Sequence, residues 1–110
     1  MTSKDDLVVG VDRTPGATVV TATGELDANT ARALDERLSR LDATSGVVVL
    51  DLTGITFCDS VGLACVLAAP HRGVDLRVVG SRQVARVVAL AGTDTELPLF
   101  PTVAAATGRQ

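Results

Sequence analysis

The chain has 110 residues, 46% of them apolar, with a mean hydropathy of +0.34, a formal net charge of -3 and a sequence pI near 4.9. That is enough apolar material for a core in one domain, and too acidic a balance to give the broad basic surface that DNA or RNA phosphates require. Phe57 and Phe100 are the only aromatic residues, so base stacking is disfavoured too; a protein or small-molecule partner is expected and direct nucleic-acid binding is not.

Residues 1–6 have neither a basic n-region nor an apolar h-region and are read as a disordered N-terminus of a cytoplasmic protein. No apolar run reaches the roughly 18 residues of a membrane span, so no membrane insertion is expected. The folded domain is placed at residues 7–107, with 108–110 as a tail. Leu7–Val11 and Ala17–Thr23 are β-prone runs separated by the turn-forming cluster Asp12–Gly16, which predicts an antiparallel hairpin. Gly24-Glu-Leu-Asp27 breaks the second strand, and Asp27 stands at the N-cap position ahead of the helical spacing Ala31, Leu34, Leu38 and Leu41. Glu36 and Arg40 are spaced for an i,i+4 pair on the outer face of that helix.

After the breaker Ser45-Gly46, the run Val47–Leu52 is apolar at nearly every position, as in a central strand covered on both faces, with Asp51 near its end. Ser60 opens a second helix that turns Leu63, Ala64, Leu67 and Ala68 to the sheet and is limited by Pro70 and Gly73. Val74–Val79 reads as a further strand. Ser81 precedes a helix bearing Val84, Val87, Val88 and Ala91, stopped by Gly92. A polar connector leads to Leu97–Phe100, a short edge-like strand tolerating Pro98, and Thr102 caps a last turn through Val103–Ala106. The order predicts a single α/β domain: a mixed sheet of about five strands with about four helices packed on it.

Most of the functional information lies in Val47 to Leu63, a buried strand that runs into a hydroxyl at a helix start. A serine there can cap exposed backbone N–H groups, and the same groups stabilise a phosphate placed on it. Because loops leaving the carboxyl ends of parallel strands share one sheet edge, Asp27 and the pair Asp59-Ser60 are expected to be neighbours. Taken alone, Ser60 and Asp27 read as capping residues and Asp59 as a charge at the positive end of the helix. Gly62 reads both as a packing glycine and as a gap through which a partner approaches the turn.

The pattern Gly24-Glu-Leu-Asp27 at the start of the first helix, Asp59-Ser-Val-Gly-Leu63 after the central strand and the ending Leu97-Pro-Leu-Phe-Pro-Thr-Val103 resembles the STAS domains of bacterial anti-sigma factor antagonists (anti-anti-sigma factors) over roughly residues 7 to 107. The resemblance implies regulation of transcription by partner switching, as in stress responses. The unphosphorylated domain binds an anti-sigma factor with serine kinase activity and releases a sigma factor. Phosphorylation at Ser60 dissociates the complex, and a PP2C-type phosphatase restores the hydroxyl. It further implies a partner surface of Asp27, Asp59, Ser60, Val61 and Gly62. Two departures stand out: Val61 replaces the second hydroxyl that many relatives carry, and Ala68-Ala-Pro-His-Arg-Gly73 falls where the family usually continues the second helix.

Other function classes are disfavoured. Asp59-Ser-Val-Gly62 lacks the glycine before serine of a nucleophile elbow, and His71 has no orienting acid or nucleophile motif, so no catalytic residue is assigned. No cofactor or metal is expected. Cys58 and Cys65 are read as buried small hydrophobes rather than a disulfide or metal pair. A STAS subunit bound to an ABC-type lipid-transporter ATPase, or a binding module that is never phosphorylated, is the alternative.

Overall fold

The first hairpin is longer than its turn-rich sequence suggests. In the computed structural model, which describes residues 7–108, β1 spans Val8–Thr14 and β2 Ala17–Leu26, so only Pro15 and Gly16 make the turn. Gly16 takes φ 86°, a conformation open to glycine, and this lets the strands pair up to Thr14↔Ala17. The chain continues through α1 (Ala31–Leu38), a single 3-10 turn (Ala43–Ser45), β3 (Val47–Cys58), α2 (Ser60–His71), β4 (Asp75–Gly80), α3 (Arg82–Leu90) and α4 (Val103–Ala106). The sheet order is β1-β2-β3-β4, with β1 antiparallel to β2 and the other pairs parallel. The expected disorder of residues 1–6 and most of the 108–110 tail lie outside the described residues.

Strand alternation builds two cores of unequal size. Val20, Ala22, Val48, Leu50, Leu76 and Val78 meet Leu34, Leu38, Leu63, Val66, Val84 and Val88 from α1, α2 and α3. On the other side Val49 and Val79 pack with Ala106, Val103 and Phe100. β3 is therefore covered on both faces, which is why its first half reads as an unbroken apolar run.

Several sequence expectations shift for identifiable reasons. The sheet has four strands, not about five. Leu97–Phe100 contributes one bridge, Val78↔Leu99, supported by the Val78 N–H donating to the Pro98 carbonyl at 3.2 Å and the Phe100 N–H to the Val78 carbonyl at 2.8 Å. Pro98 and Pro101 have no N–H to extend that ladder. Gly24 does not end β2: it lies at an irregularity with φ 116°, and pairing resumes at Glu25↔Phe57. β3 likewise continues past Leu52 and Asp51 to Cys58, because two register shifts against β2 insert extra β3 residues. Leu52, Ile55 and Cys58 are buried at a spacing of three, which hides the strand from a search for alternation.

The helices shift as well. α1 ends at Leu38, so Arg40 lies beyond it and no ion pair with Glu36 forms among the described residues. α2 buries Gly62, Leu63, Val66 and Ala69, whereas Ala64 is exposed and Leu67 and Ala68 only half-buried. Its sequence is apolar on almost every side, so the pattern carries no rotational phase; contacts at Gly62 set it. Ala91, expected on the buried face of α3, is its exposed C-cap.

Candidate functional site: a serine at the mouth of the second helix

The candidate site forms where β2 and β3 end side by side. Their parallel pairing closes at Leu26↔Cys58, so Asp27 and Asp59 are the next residue on each strand. The Asp59 N–H donates to the Leu26 carbonyl at 3.2 Å, tying the start of α2 to the end of β2. Gly62 completes the clamp. A Cβ there would lie 2.5 Å from the Leu26 carbonyl oxygen and 2.8 Å from its Cγ, so only glycine lets α2 sit this low on the strand. Gly62 is buried, and the space a side chain would need is filled from inside by Leu26, so packing alone requires a glycine here.

The cap assignments differ from the sequence expectation. Asp59, not Ser60, is the N-cap of α2: its Oδ1 accepts the Gly62 N–H at 2.8 Å. Ser60 is the first helical residue, exposed, and its hydroxyl has no hydrogen-bond partner among the described residues. The Leu63 N–H donates to the Asp59 carbonyl at 3.0 Å, which leaves the Ser60 and Val61 N–H groups open at the helix mouth. Relieved of capping, Ser60 presents a free nucleophilic oxygen beside two free donors.

Asp27 is also not the cap of α1; that position falls to Thr30, which makes no side-chain cap bond. The Asp27 carboxylate accepts the N–H groups of Asn29 at 2.9 Å and Thr30 at 3.2 Å, an Asx-type turn that uses up residues 28–30 before the helix begins. The Thr30 hydroxyl fixes the loop by donating to the Glu25 carbonyl at 2.7 Å. The loop that carries Asp27 thus stands at the strand end against which α2 is clamped.

Two apolar side chains extend this edge. Val61 is 51% exposed, and Phe57, three residues before Ser60, is 45% exposed. Sequence reasoning missed Phe57 as a surface residue, because the second register shift in β3 turns it outward where simple alternation gives no warning. Cys58 is buried directly behind the site; its burial, then the neighbouring Asp59 carboxylate, pushes the thiol up to about 11. Cys65 is likewise raised to about 11 by burial, then by Asp35, with Arg72 opposing. Both are free thiols held protonated, poor ligands and poor nucleophiles at neutral pH. Among the described residues no group of three or more His, Cys, Asp or Glu side chains is placed to hold a metal ion, and no helix is long and apolar enough to cross a membrane. His71 closes α2 in an exposed 3.2 Å contact with Glu96, remote in sequence from the serine turn.

A four-stranded mixed sheet with three helices on one face and an unoccupied hydroxyl at a helix mouth defines a small α/β domain with its chemistry at one sheet edge. The family model for the "Mlab, STAS domain" matches residues 9–101. The anti-sigma-F factor antagonist RsfB of Mycobacterium tuberculosis is 32% identical over 108 residues, covering 94% of this chain and 88% of the relative. Among solved structures, an anti-sigma factor antagonist from Mycobacterium paratuberculosis superposes with a TM-score of 0.86 at 30% identity, covering 98% of this chain and 97% of the other. The unphosphorylated form of the anti-sigma factor antagonist SpoIIAA shares the fold at a TM-score of 0.67 and 20% identity, over 89% of this chain and 92% of that one. This chain belongs to the STAS domain family.

Proposed function

We propose that this domain is an anti-sigma factor antagonist switched by phosphorylation of Ser60. The unmodified domain binds an anti-sigma factor with serine kinase activity and thereby frees a sigma factor. The observation that carries this reading is the division of labour at the α2 mouth: Asp59 does the capping, so the exposed Ser60 hydroxyl is free to react without loss of the helix. The likeness to relatives named as anti-sigma factor antagonists supports the choice of partner.

In the reaction, the Ser60 oxygen forms a bond to the γ-phosphorus of ATP, the bond from that phosphorus to the bridging oxygen breaks, ADP leaves, and a base on the kinase takes the hydroxyl proton. The product carries about -1.5 to -2 charges at pH 7 beside Asp59 and next to the Asp27 loop. Within the domain, the open Ser60 and Val61 N–H groups and the α2 dipole offset that charge, so the fold survives. A partner seated over Phe57, Val61 and the two carboxylates has no such compensation and leaves. A PP2C-type phosphatase hydrolyses the ester and resets the switch.

The test is affinity capture from the native cell, followed by incubation of the captured complex with ATP and mapping of the modified residue. A GHKL-type kinase in the complex and phosphate on Ser60 are expected. Capture of a transporter ATPase without a kinase, or phosphate on another residue, would overturn the reading.

A further inference from the structure

One recess lies away from the serine turn and is lined by residues to which the switch gives no task. It is a cavity of about 350 Å³ between the β1–β2 hairpin and the segment following α1, lined by Val11, Arg13, Val20, Arg37, Arg40 and Leu41. The fold brings these together in a defined way. Val11 pairs with Val20 across the hairpin, and Arg13, two residues on, shares their face. Arg37 lies in the last turn of α1, and Leu41 returns to the core through its N–H bond to the Leu38 carbonyl at 3.0 Å. Arg40 is left on the rim because α1 stops at Leu38.

The lining is chemically polarised. Val11, 40% exposed, and Leu41, 8% exposed, form an apolar floor over the fully buried Val20. Three arginines, all exposed, and no acidic residue complete the lining, on a chain of net charge -3. None of the three makes an ion pair or a side-chain hydrogen bond among the described residues, unlike Arg77, which holds Asp75 and the Ala106 carbonyl. The carbonyl of Leu38, at the end of α1, is already served by Arg72 at 2.7 Å and does not draw Arg37 or Arg40 inward. Three cationic side chains that line one recess without an internal partner keep their donors open, so an anion seated there gains charge-assisted bonds.

We propose that this recess binds a small amphipathic oxyanion, a phosphate or carboxylate head on a short apolar body, with the head on Arg13, Arg37 and Arg40 and the body on Val11 and Leu41. The volume is at the lower end of the roughly 300–1,000 Å³ of small-ligand sites, which suits such a molecule rather than a nucleotide, and no aromatic side chain is present for a base to stack on. The recess is independent of the Ser60 reading. Val20 lies six residues before Leu26 on β2, about 20 Å along the strand from the serine turn.

Octyl phosphate below its micellar concentration is the probe, titrated calorimetrically into the full chain at low ionic strength, with amide shifts of Val11, Arg13 and Leu41 followed by NMR. Saturable binding is expected, about tenfold or more tighter than inorganic phosphate and absent for octanol. The exposed double variant Arg37→Gln/Arg40→Gln, checked for an unchanged melting curve, is expected to lose about tenfold or more in affinity. No saturable binding, equal binding by the double variant, or shifts confined to other residues would overturn the proposal. So would inorganic phosphate or octanol binding as tightly as octyl phosphate. Sedimentation with phosphatidylglycerol vesicles in the absence of any binding to the monomeric probe would replace the recess with a bilayer contact.

Discussion

Replacing Gly62 with alanine tests whether the clamp between α2 and β2 holds the serine turn in place. The added Cβ would meet the Leu26 carbonyl oxygen at 2.5 Å, its Cγ at 2.8 Å and its carbonyl carbon at 2.9 Å. Favourable carbon contacts begin near 3.5 Å, so a shift of about 1 Å is required. Leu26 cannot easily supply it: the residue is fully buried, pairs with Cys58 in the sheet, and accepts the Asp59 N–H through the same carbonyl. Overpacking of this kind costs about 1–3 kcal/mol, and loss of the Asp59 bond about 1 more. The gain in helix propensity from glycine to alanine recovers at most about 1 kcal/mol. The net expectation is a destabilisation of about 2 kcal/mol, or a melting temperature lower by about 8 °C for a domain of this size. Urea unfolding followed by far-UV circular dichroism, with an unchanged slope, measures it. A variant as stable as the parent, or more stable, refutes the claim that this contact fixes the depth of α2.

Asp59→Ala should cost about 1 kcal/mol through the lost bond to the Gly62 N–H, whereas Asp59→Asn, an equally good cap without charge, should stay within a few tenths; chemical denaturation separates the capping role of Asp59 from its charge. The cysteines set a pH dependence. Their folded values near 11 exceed the usual value of 9.0, so the stability gained by keeping them protonated is fully present below about pH 9 and is lost as pH rises toward 11. A urea midpoint flat from pH 7 to 9 and falling above it is expected, with a shallower fall in Cys58→Ala; an alkaline fall unchanged by that substitution assigns it to other groups. Iodoacetamide at pH 8 should modify the native thiols far more slowly than those of the urea-unfolded chain, because the thiolate is the reactive form.

The layered architecture was legible wherever a physical period dominates the sequence. The unbroken run Val48–Leu50 announces a strand covered on both sides, and Ser81 and Thr102 cap α3 and α4 as their positions suggest, accepting the Val84 and Ala105 N–H groups at 3.2 and 3.0 Å. The second half of β3 was not legible, because its register shifts replace the period of two with a period of three. The orientation of α2 was hidden for another reason: a helix apolar all round has no preferred face until Gly62 meets Leu26. At the site, the approach of Asp27 and Asp59 follows from parallel topology alone. The exchange of roles between Asp59 and Ser60 does not, since two adjacent side chains are both competent caps and only backbone geometry selects one. Phe57 and the arginine recess depend on contacts between residues distant in the chain and leave no local signal.

The affinity of the purified domain for the proposed anti-sigma factor, measured with Ser60 unmodified and with Ser60 phosphorylated, tests the switch most directly. Two charges about 6 Å apart at an effective dielectric near 20 interact by roughly 3 kcal/mol. An uncompensated phosphate should therefore weaken binding about a hundredfold, while far-UV circular dichroism stays unchanged. Ser60→Ala should bind like the unmodified protein and accept no phosphate. Equal affinity of the phosphorylated and unmodified forms would contradict a switch in which charge at the mouth of α2 decides which protein docks there.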